Sequence, residues 1–591
     1  MRHIWYTTDT DTKYERKQFF MKKILSLTLS VLLLLSVLAC LASCEKTLVT
    51  DGNSVFVVTQ VGNEQKFSVT WNSSKKVTGL EIKVTHGKQT VAQAAFSGEE
   101  LGDSVTVDAY YGKHDVELKA IHDDGSSSVI NCKVALSADE YVIAPISGSM
   151  PQLYFTLNIK EITDEGNIPT FVWLTRPESW NWDALPENVF AMPTVELDEI
   201  LVNNNYDRMV AVVNDYIKEL YEINPDSKFN LYINDYNIYL YLKLLTANSI
   251  PEDNYYVTLL SDGGASYAAF NEAFNVEEEG FDADAKYADM ASKLNSLYEE
   301  VRTAGDYHSG GTFSIDSEEL RQYAYVAAKE MDNVEWWILR PRSGVLCSPD
   351  EEFITMVLND DKTEGIIEER NFASPLTAMT DEEKDALLNL YNFNGEMFAQ
   401  AEKENKKAMM ILGSWAFAEN EPNFNDYVNL VKAYYGEEEF VYYYKGHPNT
   451  PTSLYPDKQA QLEELGLIDV ESSINAELIL FFYPDIYMCG YNSSTFLSVQ
   501  SPEMACAMFN MTPEAAAENE SMTEYKDLIG IYLSLIGEDS EYADLCEGDG
   551  TYILIQPGTD TEVEWDIGIF DSAANTITYY NAVDGGYTAV E

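Results

Sequence analysis

Between Leu48 and Leu136 apolar and polar residues alternate in short segments: Ser54–Thr59, Lys66–Trp71, Leu80–Thr85, Ser104–Tyr110, Asp115–Ala120 and Ser128–Val134, separated by Gly, Asn, Asp and Ser. Successive side chains of a strand point to opposite faces, so this period predicts strands with one buried face. Their spacing predicts a β-sandwich of immunoglobulin type over residues 45–143. His86, His114 and His122 fall inside it without ligand spacing and read as surface histidines.

After the Pro- and Gly-containing stretch Ala144–Met150, read as a linker, and the apolar run Leu153–Ile159, the period changes. Asp207–Glu222 and Asn237–Ala247 carry helical patterns, and Lys228–Ile233 and Tyr255–Leu260 are buried, strand-like runs. Strands alternating with helices predict a parallel α/β sheet. The last of these strands runs into Ser261-Asp262-Gly263-Gly264, which places Asp262 at its C-terminal end. Further on, Thr380 and Glu383 form a capping box that opens a helix over Lys384–Tyr391. A charged stretch, Ala401–Lys407, precedes the strand Ala408–Leu412 and then Gly413-Ser414-Trp415. Two α/β domains are expected, over 144–400 and 401–591.

The second of them holds the densest chemistry. Phe440–Tyr444 predicts a buried strand, followed by the turn Lys445-Gly446-His447-Pro448. Gly446 permits close approach of the backbone and Pro448 fixes φ, so His447 stands on a rigid corner at a strand's C-terminal end. That end is where open α/β sheets bind ligands. The apolar runs Ala476–Tyr483 and Ile486–Gly490 read as two more strands, the first ending at Pro484-Asp485 and the second running into Tyr491-Asn492-Ser493-Ser494. The three strand ends would then deliver an imidazole, the carboxylate of Glu477 and the hydroxyls of Ser493 and Ser494. Beyond Ser498, helical patterns at Met504–Met511 and Ser521–Ile536 and strand patterns at Thr551–Gln556, Glu562–Phe570 and Thr576–Tyr580 carry no functional signal.

At the other end, Met21 followed by Lys22-Lys23 and the apolar run Ile24–Ala39 reads as a secretory leader. The run is shorter than the roughly 20 residues of a membrane-spanning helix. It ends in Leu41-Ala42-Ser43-Cys44, which resembles a bacterial lipobox with Cys44 as the lipidated residue; Cys40 is a second candidate. Residues 1–44 are thus expected to be leader and signal peptide of an exported lipoprotein, anchored to the membrane at the cell surface or periplasmic face. The whole chain is 46% hydrophobic and 12% aromatic, and its formal net charge of −60 repels nucleic acid. There is no Walker loop, no G-x-G-x-x-G, no H-E-x-x-H and no EF-hand loop. The seven cysteines are scattered without metal spacing, and their pairing stays open.

Taken together, the K-G-H-P turn, Glu477, the Pro-Asp pair and Ser493-Ser494 resemble the bacterial multifunctional sialyltransferases, glycosyltransferase family 80, over about Leu153–Val499. The resemblance is to a lipoprotein form with an N-terminal immunoglobulin-like module. It implies an α/β fold of GT-B type, two Rossmann-like domains facing a cleft, preceded by the all-β sandwich. It also implies an inverting, metal-independent transfer of sialic acid from CMP-sialic acid to a hydroxyl of a galactoside or related glycan, with no cofactor. Asp262 takes the position of the family's general base in its D-D-G-S motif, with Ser261 and Gly264 departing from the flanking residues. Gly446, His447, Pro448, Glu477, Ser493 and Ser494 would hold the donor, and His447 would assist departure of CMP. Trp415, in a shortened form of the family's G-T-T-T-W, would shape the acceptor site. The alternative is a non-catalytic, lipid-anchored glycan-binding surface protein, suggested by 39 tyrosines, nine tryptophans and the export signal.

Overall fold

The computed structural model describes residues 46–50, 54–164, 168–175, 179–192, 206–263, 266, 270, 273–274, 280–304, 323–338, 366–370, 372–393, 396–413, 424–448, 451–483, 485–490, 495, 505–507, 552–554, 567–571, 574, 576–583 and 586–590. Two compact units emerge. One runs to Asp139 and includes Tyr216–Ser227; the other comprises Glu140–Asp215 and Lys228–Glu591.

In the first unit the alternating segments form two four-stranded antiparallel sheets. One has the order β1-β2-β3-β6, from Lys46–Thr50, Ser54–Gln60, Lys66–Ser73 and Ser104–Asp108. The other has the order β5-β4-β7-β8, from Gln89–Ser97, Val77–His86, Gly112–His122 and Ser127–Leu136. Phe56, Phe67, Val69, Leu80, Ile82, Val84 and Leu118 supply the buried faces. Strand β5 escapes the sequence pattern because it is an edge strand with no fully buried position, and Ala and Gln dominate it. The histidines are a correction: His114 and His122 are buried, since both fall on the inward side of β7's alternation. Cys132 of β8 is a buried free thiol.

In the second unit, seven parallel strands form a sheet of order β11-β10-β9-β12-β13-β14-β15. They are β9 Glu140–Ile146, β10 Thr170–Leu174, β11 Val189–Ala191, β12 Lys228–Asn234, β13 Tyr255–Leu260, β14 Val334–Ile338 and β15 Ile367–Glu369. The order runs outward from β9 to one edge and then resumes at β12 toward the other. It is the doubly wound pattern, with its topological switch point between β9 and β12. A second parallel sheet repeats the design with five strands, in the order β18-β17-β16-β19-β20. These are β16 Lys407–Leu412, β17 Phe440–Lys445, β18 Ile468–Val470, β19 Tyr487–Gly490 and β20 Ala505–Ala507. Its switch point falls between β16 and β19. Antiparallel sheets followed by two parallel α/β sheets make this a GT-B-type architecture with an all-β module in front.

Three expectations change. The first residues of the supposed linker, Ala144–Ile146, are the end of β9, whose Tyr141–Ile146 are buried. The apolar run after it, to which the sequence pattern assigns no element, lies largely in helix Ser149–Leu157, and all of that helix but its first residue is buried. Ala476–Phe482 is likewise a helix and not a strand, because Asn475 caps it: its Oδ1 accepts from Leu478 N at 3.1 Å. Within Met504–Met511 the described residues Ala505–Ala507 are the edge strand β20. The capping box is present, with Thr380 N donating to Glu383 Oε2 at 2.7 Å and Glu383 N to Thr380 Oγ1 at 3.3 Å.

The C-terminal strands β21 Tyr552–Leu554, β22 Ile567–Asp571, β23 Thr576–Val583 and β24 Gly586–Ala589 form an antiparallel sheet. Ile577 and Tyr579 of β23 pack on the core of the second α/β sheet around Phe424, Val428, Val431 and Phe440.

Candidate active site

Ligands bind open α/β sheets outside the carboxyl ends of the strands, at the switch point. In the first sheet that point is tied shut by a reciprocal amide pair. Ser147 N donates to Asn234 Oδ1 at 2.8 Å, and Asn234 Nδ2 donates to Ser147 O at 2.5 Å. Both residues are buried, and two such bonds contribute about 1 kcal/mol each. One strand over, β13 delivers Asp262, which is half-buried. Its backbone N–H donates to Ser266 Oγ at 2.8 Å, and Gly263 N donates to Ser261 Oγ at 3.0 Å. Gly263 has φ +67°, the left-handed conformation that closes this turn. The Asp262 carboxylate lies beside Gly148, which caps the N-terminus of helix Ser149–Leu157. A helix N-terminus favours negative charge, so this is a suitable seat for a carboxylate.

In the second sheet, β17 ends in Lys445 and leads into Gly446, His447 and Pro448. Lys445 is buried, and its Nζ donates to the carbonyls of Gly446 at 3.3 Å and Ser472 at 3.0 Å. The cation thereby holds the turn and the loop before helix Ala476–Phe482 together. His447 and Pro448 are half-buried. At the switch point Gly490 has φ +143°, and a Cβ there would stand 2.6 Å from Leu412 O, so only glycine lets β19 finish this close to β16.

Glu477 is placed differently from the expectation. It does not end a strand; it lies in the first turn of helix Ala476–Phe482, where a carboxylate is stabilised by the helix N-terminus. It is buried and accepts from Thr495 Oγ1 at 2.8 Å. Its charge also reaches Tyr391, whose phenol is pushed well above the usual range first by burial and further by Glu477. Ser493, Ser494, Trp415 and Cys44 lie outside the described residues.

The two sheets are linked where these groups gather. Asn475 Nδ2 donates to Ser149 O at 3.2 Å, joining the cap of one helix to the first turn of the other. Phe372 stands edge-on to Tyr154 at 4.9 Å and to Phe481 at 6.1 Å, and the Tyr391 hydroxyl meets Thr156 Oγ1 at 2.9 Å. Asp262 and Asn475 thus address adjacent residues, Gly148 and Ser149, at one helix start. Asn475, Gly148 and Ser266 were missed from sequence, and Lys445 was read only as the first residue of the K-G-H-P turn, without its buried role. Asn475 alone carried a signal, as a capping residue before an apolar run. Among the described residues, no group of three His, Cys, Asp or Glu could hold a metal ion, and no helix is long and apolar enough to cross a membrane.

No protein-family model and no curated protein matches the sequence. Among solved structures the chain is similar to a sialyltransferase from Photobacterium damsela, with 14% identity and a TM-score of 0.47 over 79% of this chain and 96% of that one. It is also similar to a 2,6-sialyltransferase from Vibrionaceae Photobacterium sp. JT-ISH-224, in ternary complex with CMP and lactose, with 14% identity and a TM-score of 0.46 over 79% and 92% of the two chains. A third likeness is to an α/β-galactoside α-2,3-sialyltransferase from Photobacterium phosphoreum, with 13% identity and a TM-score of 0.45 over 66% and 96%.

Proposed function

We propose that the protein is a glycosyltransferase of inverting, metal-independent type that moves sialic acid from CMP-sialic acid to a hydroxyl of a galactoside or related glycan. One observation carries this reading. A carboxylate, Asp262, and the K-G-H-P turn stand at strand carboxyl ends of two successive doubly wound sheets, which are joined through Asn475 and Ser149. Asp262 draws the proton from the acceptor hydroxyl as its oxygen bonds to the anomeric carbon. The bond from that carbon to the phosphate oxygen of CMP breaks on the opposite face, and the configuration inverts. The anomeric carbon is hindered and carries a carboxylate, so the hydroxyl needs this activation. His447 donates to the phosphate as it leaves with its added negative charge. Glu477 accepts from the ribose hydroxyls, Ser493 and Ser494 donate to the phosphate, and Trp415 shapes the acceptor site. Cys44 carries the lipid that anchors the exported chain to the membrane.

The test is incubation of the full chain with CMP-sialic acid and lactose, following CMP release and sialylated product. Transfer that falls about 10²–10⁴-fold in Asp262→Asn, with CMP binding intact, is the expected result. The export leader favours the second reading, a lipid-anchored glycan-binding protein without catalysis. Glycan binding with no turnover of CMP-sialic acid by the wild type would establish that instead.

A further inference from the structure

Beneath Asp262 lies a second carboxylate. Asp235 follows β12 and is 2% exposed, yet three donors converge on it. Tyr236 N donates to Oδ1 at 2.9 Å, Trp336 Nε1 of β14 donates to Oδ2 at 3.2 Å, and Ser266 Oγ also donates to Oδ2. Ser266 in turn accepts from the Asp262 N–H at 2.8 Å. The chain of bonds therefore starts at a tryptophan on one strand, passes through the carboxylate just after a second and finishes on the backbone of Asp262, two residues beyond the end of a third.

We propose that Asp235 and Ser266 are positioning residues that hold Asp262 in place for proton abstraction; this rests on the reading of Asp262 as the general base. The bonds explain how a carboxyl group is accommodated in the core here. A hydroxyl can donate or accept in either direction, whereas an ionised carboxylate only accepts. Facing Asp235, Ser266 must point its proton at the carboxylate and its lone pair at Asp262. The Asp262 N–H can only donate, so Ser266 Oγ accepts from it and keeps its own proton for the carboxylate. Burying a carboxylate is costly unless several donors satisfy it, as three do here. The anchored backbone sets where the Asp262 side chain meets Gly148, and catalytic rates are sensitive to displacements of about 1 Å.

Ser266→Ala and Asp235→Asn test the relay, with thermal unfolding checking that each variant is folded. Both should lower kcat for transfer from CMP-sialic acid to lactose roughly 10- to 100-fold. The KM for lactose and the affinity for CMP should be unchanged. In the Asp262→Asn background the same substitutions should cost nothing further, because the group they position is already gone. Deuterium uptake by the peptide containing Asp262 should rise in either single variant. Equal losses of kcat in both backgrounds, or unchanged deuterium uptake, would overturn the relay while leaving Asp262 as the base. Normal transfer by Asp262→Asn alone, or no transfer by the wild type, would overturn the base itself and the relay with it. If Asp235→Asn fails to fold, Ser266→Ala carries the test alone.

Discussion

The carboxylate of Asp262 occupies the space beside Gly148 that any other residue's Cβ would need: a Cβ built on Gly148 would lie 2.8 Å from Asp262 Oδ1. Gly148 also has φ +86° and ψ 159°, a conformation essentially reserved for glycine. A residue with no side chain thus both starts helix Ser149–Leu157 and makes room for the proposed base.

Gly148→Ala should therefore act twice. The backbone strain should lower stability by about 1–3 kcal/mol in urea denaturation. The added methyl should push the carboxylate aside and reduce transfer roughly 10- to 100-fold at saturating substrate. A variant that is destabilised but turns over normally would separate Gly148 from the site.

His447→Ala should lower the turnover number far more than it weakens acceptor binding, since the role proposed for the imidazole is at the departing phosphate and not at the acceptor. A positioned acid contributes about 10²–10⁴-fold. Steady-state kinetics with lactose varied at saturating CMP-sialic acid measures the split, and a change confined to the acceptor KM would count against the assignment.

Glu477→Gln keeps the shape of a buried side chain and removes its charge. Hydrogen bonds to a charged group contribute about 1.5–3 kcal/mol, so CMP should bind roughly 10- to 200-fold more weakly by calorimetry. Unchanged CMP affinity would assign Glu477 to helix capping and to its bond with Thr495.

A further prediction concerns the body of the first α/β sheet. Glu335 of β14 accepts from Thr258 Oγ1 at 2.8 Å and Tyr256 OH at 3.2 Å. Burial, with the charge of Glu368 adding to it, holds its carboxyl above the usual range despite those bonds. A raised acid stabilises the fold while it is protonated, fully below the unfolded value, and this contribution is lost as pH rises through the folded value. Glu335→Gln should therefore be more stable than wild type at neutral pH, with the gap closing as pH falls through the carboxylate range. Parallel melting curves across that range would show it, and a constant gap would mean the charge is not the cause.

Local pattern was sufficient for much of this protein. Alternation marked the sandwich strands, helix and strand periods marked the α/β chain, and Thr380 with Glu383 announced a helix start that the structure shows. The K-G-H-P turn and Asp262 could be placed at strand ends from sequence because strands, turns and glycines act over a few residues. A short, mostly apolar segment defeated the same approach: Ala476–Phe482 has a single polar residue, Glu477, and one polar position does not mark a helical period. The order of strands in each sheet, and with it the two switch points, also came only from the fold, because long-range pairing leaves no local trace. The same holds for the Asn475 bond to Ser149, for the seat of Asp262 against Gly148 and for the path from Trp336 through Asp235 to Ser266. Each depends on residues far apart in the chain meeting around strand ends and helix starts, and only tertiary packing decides which ones meet.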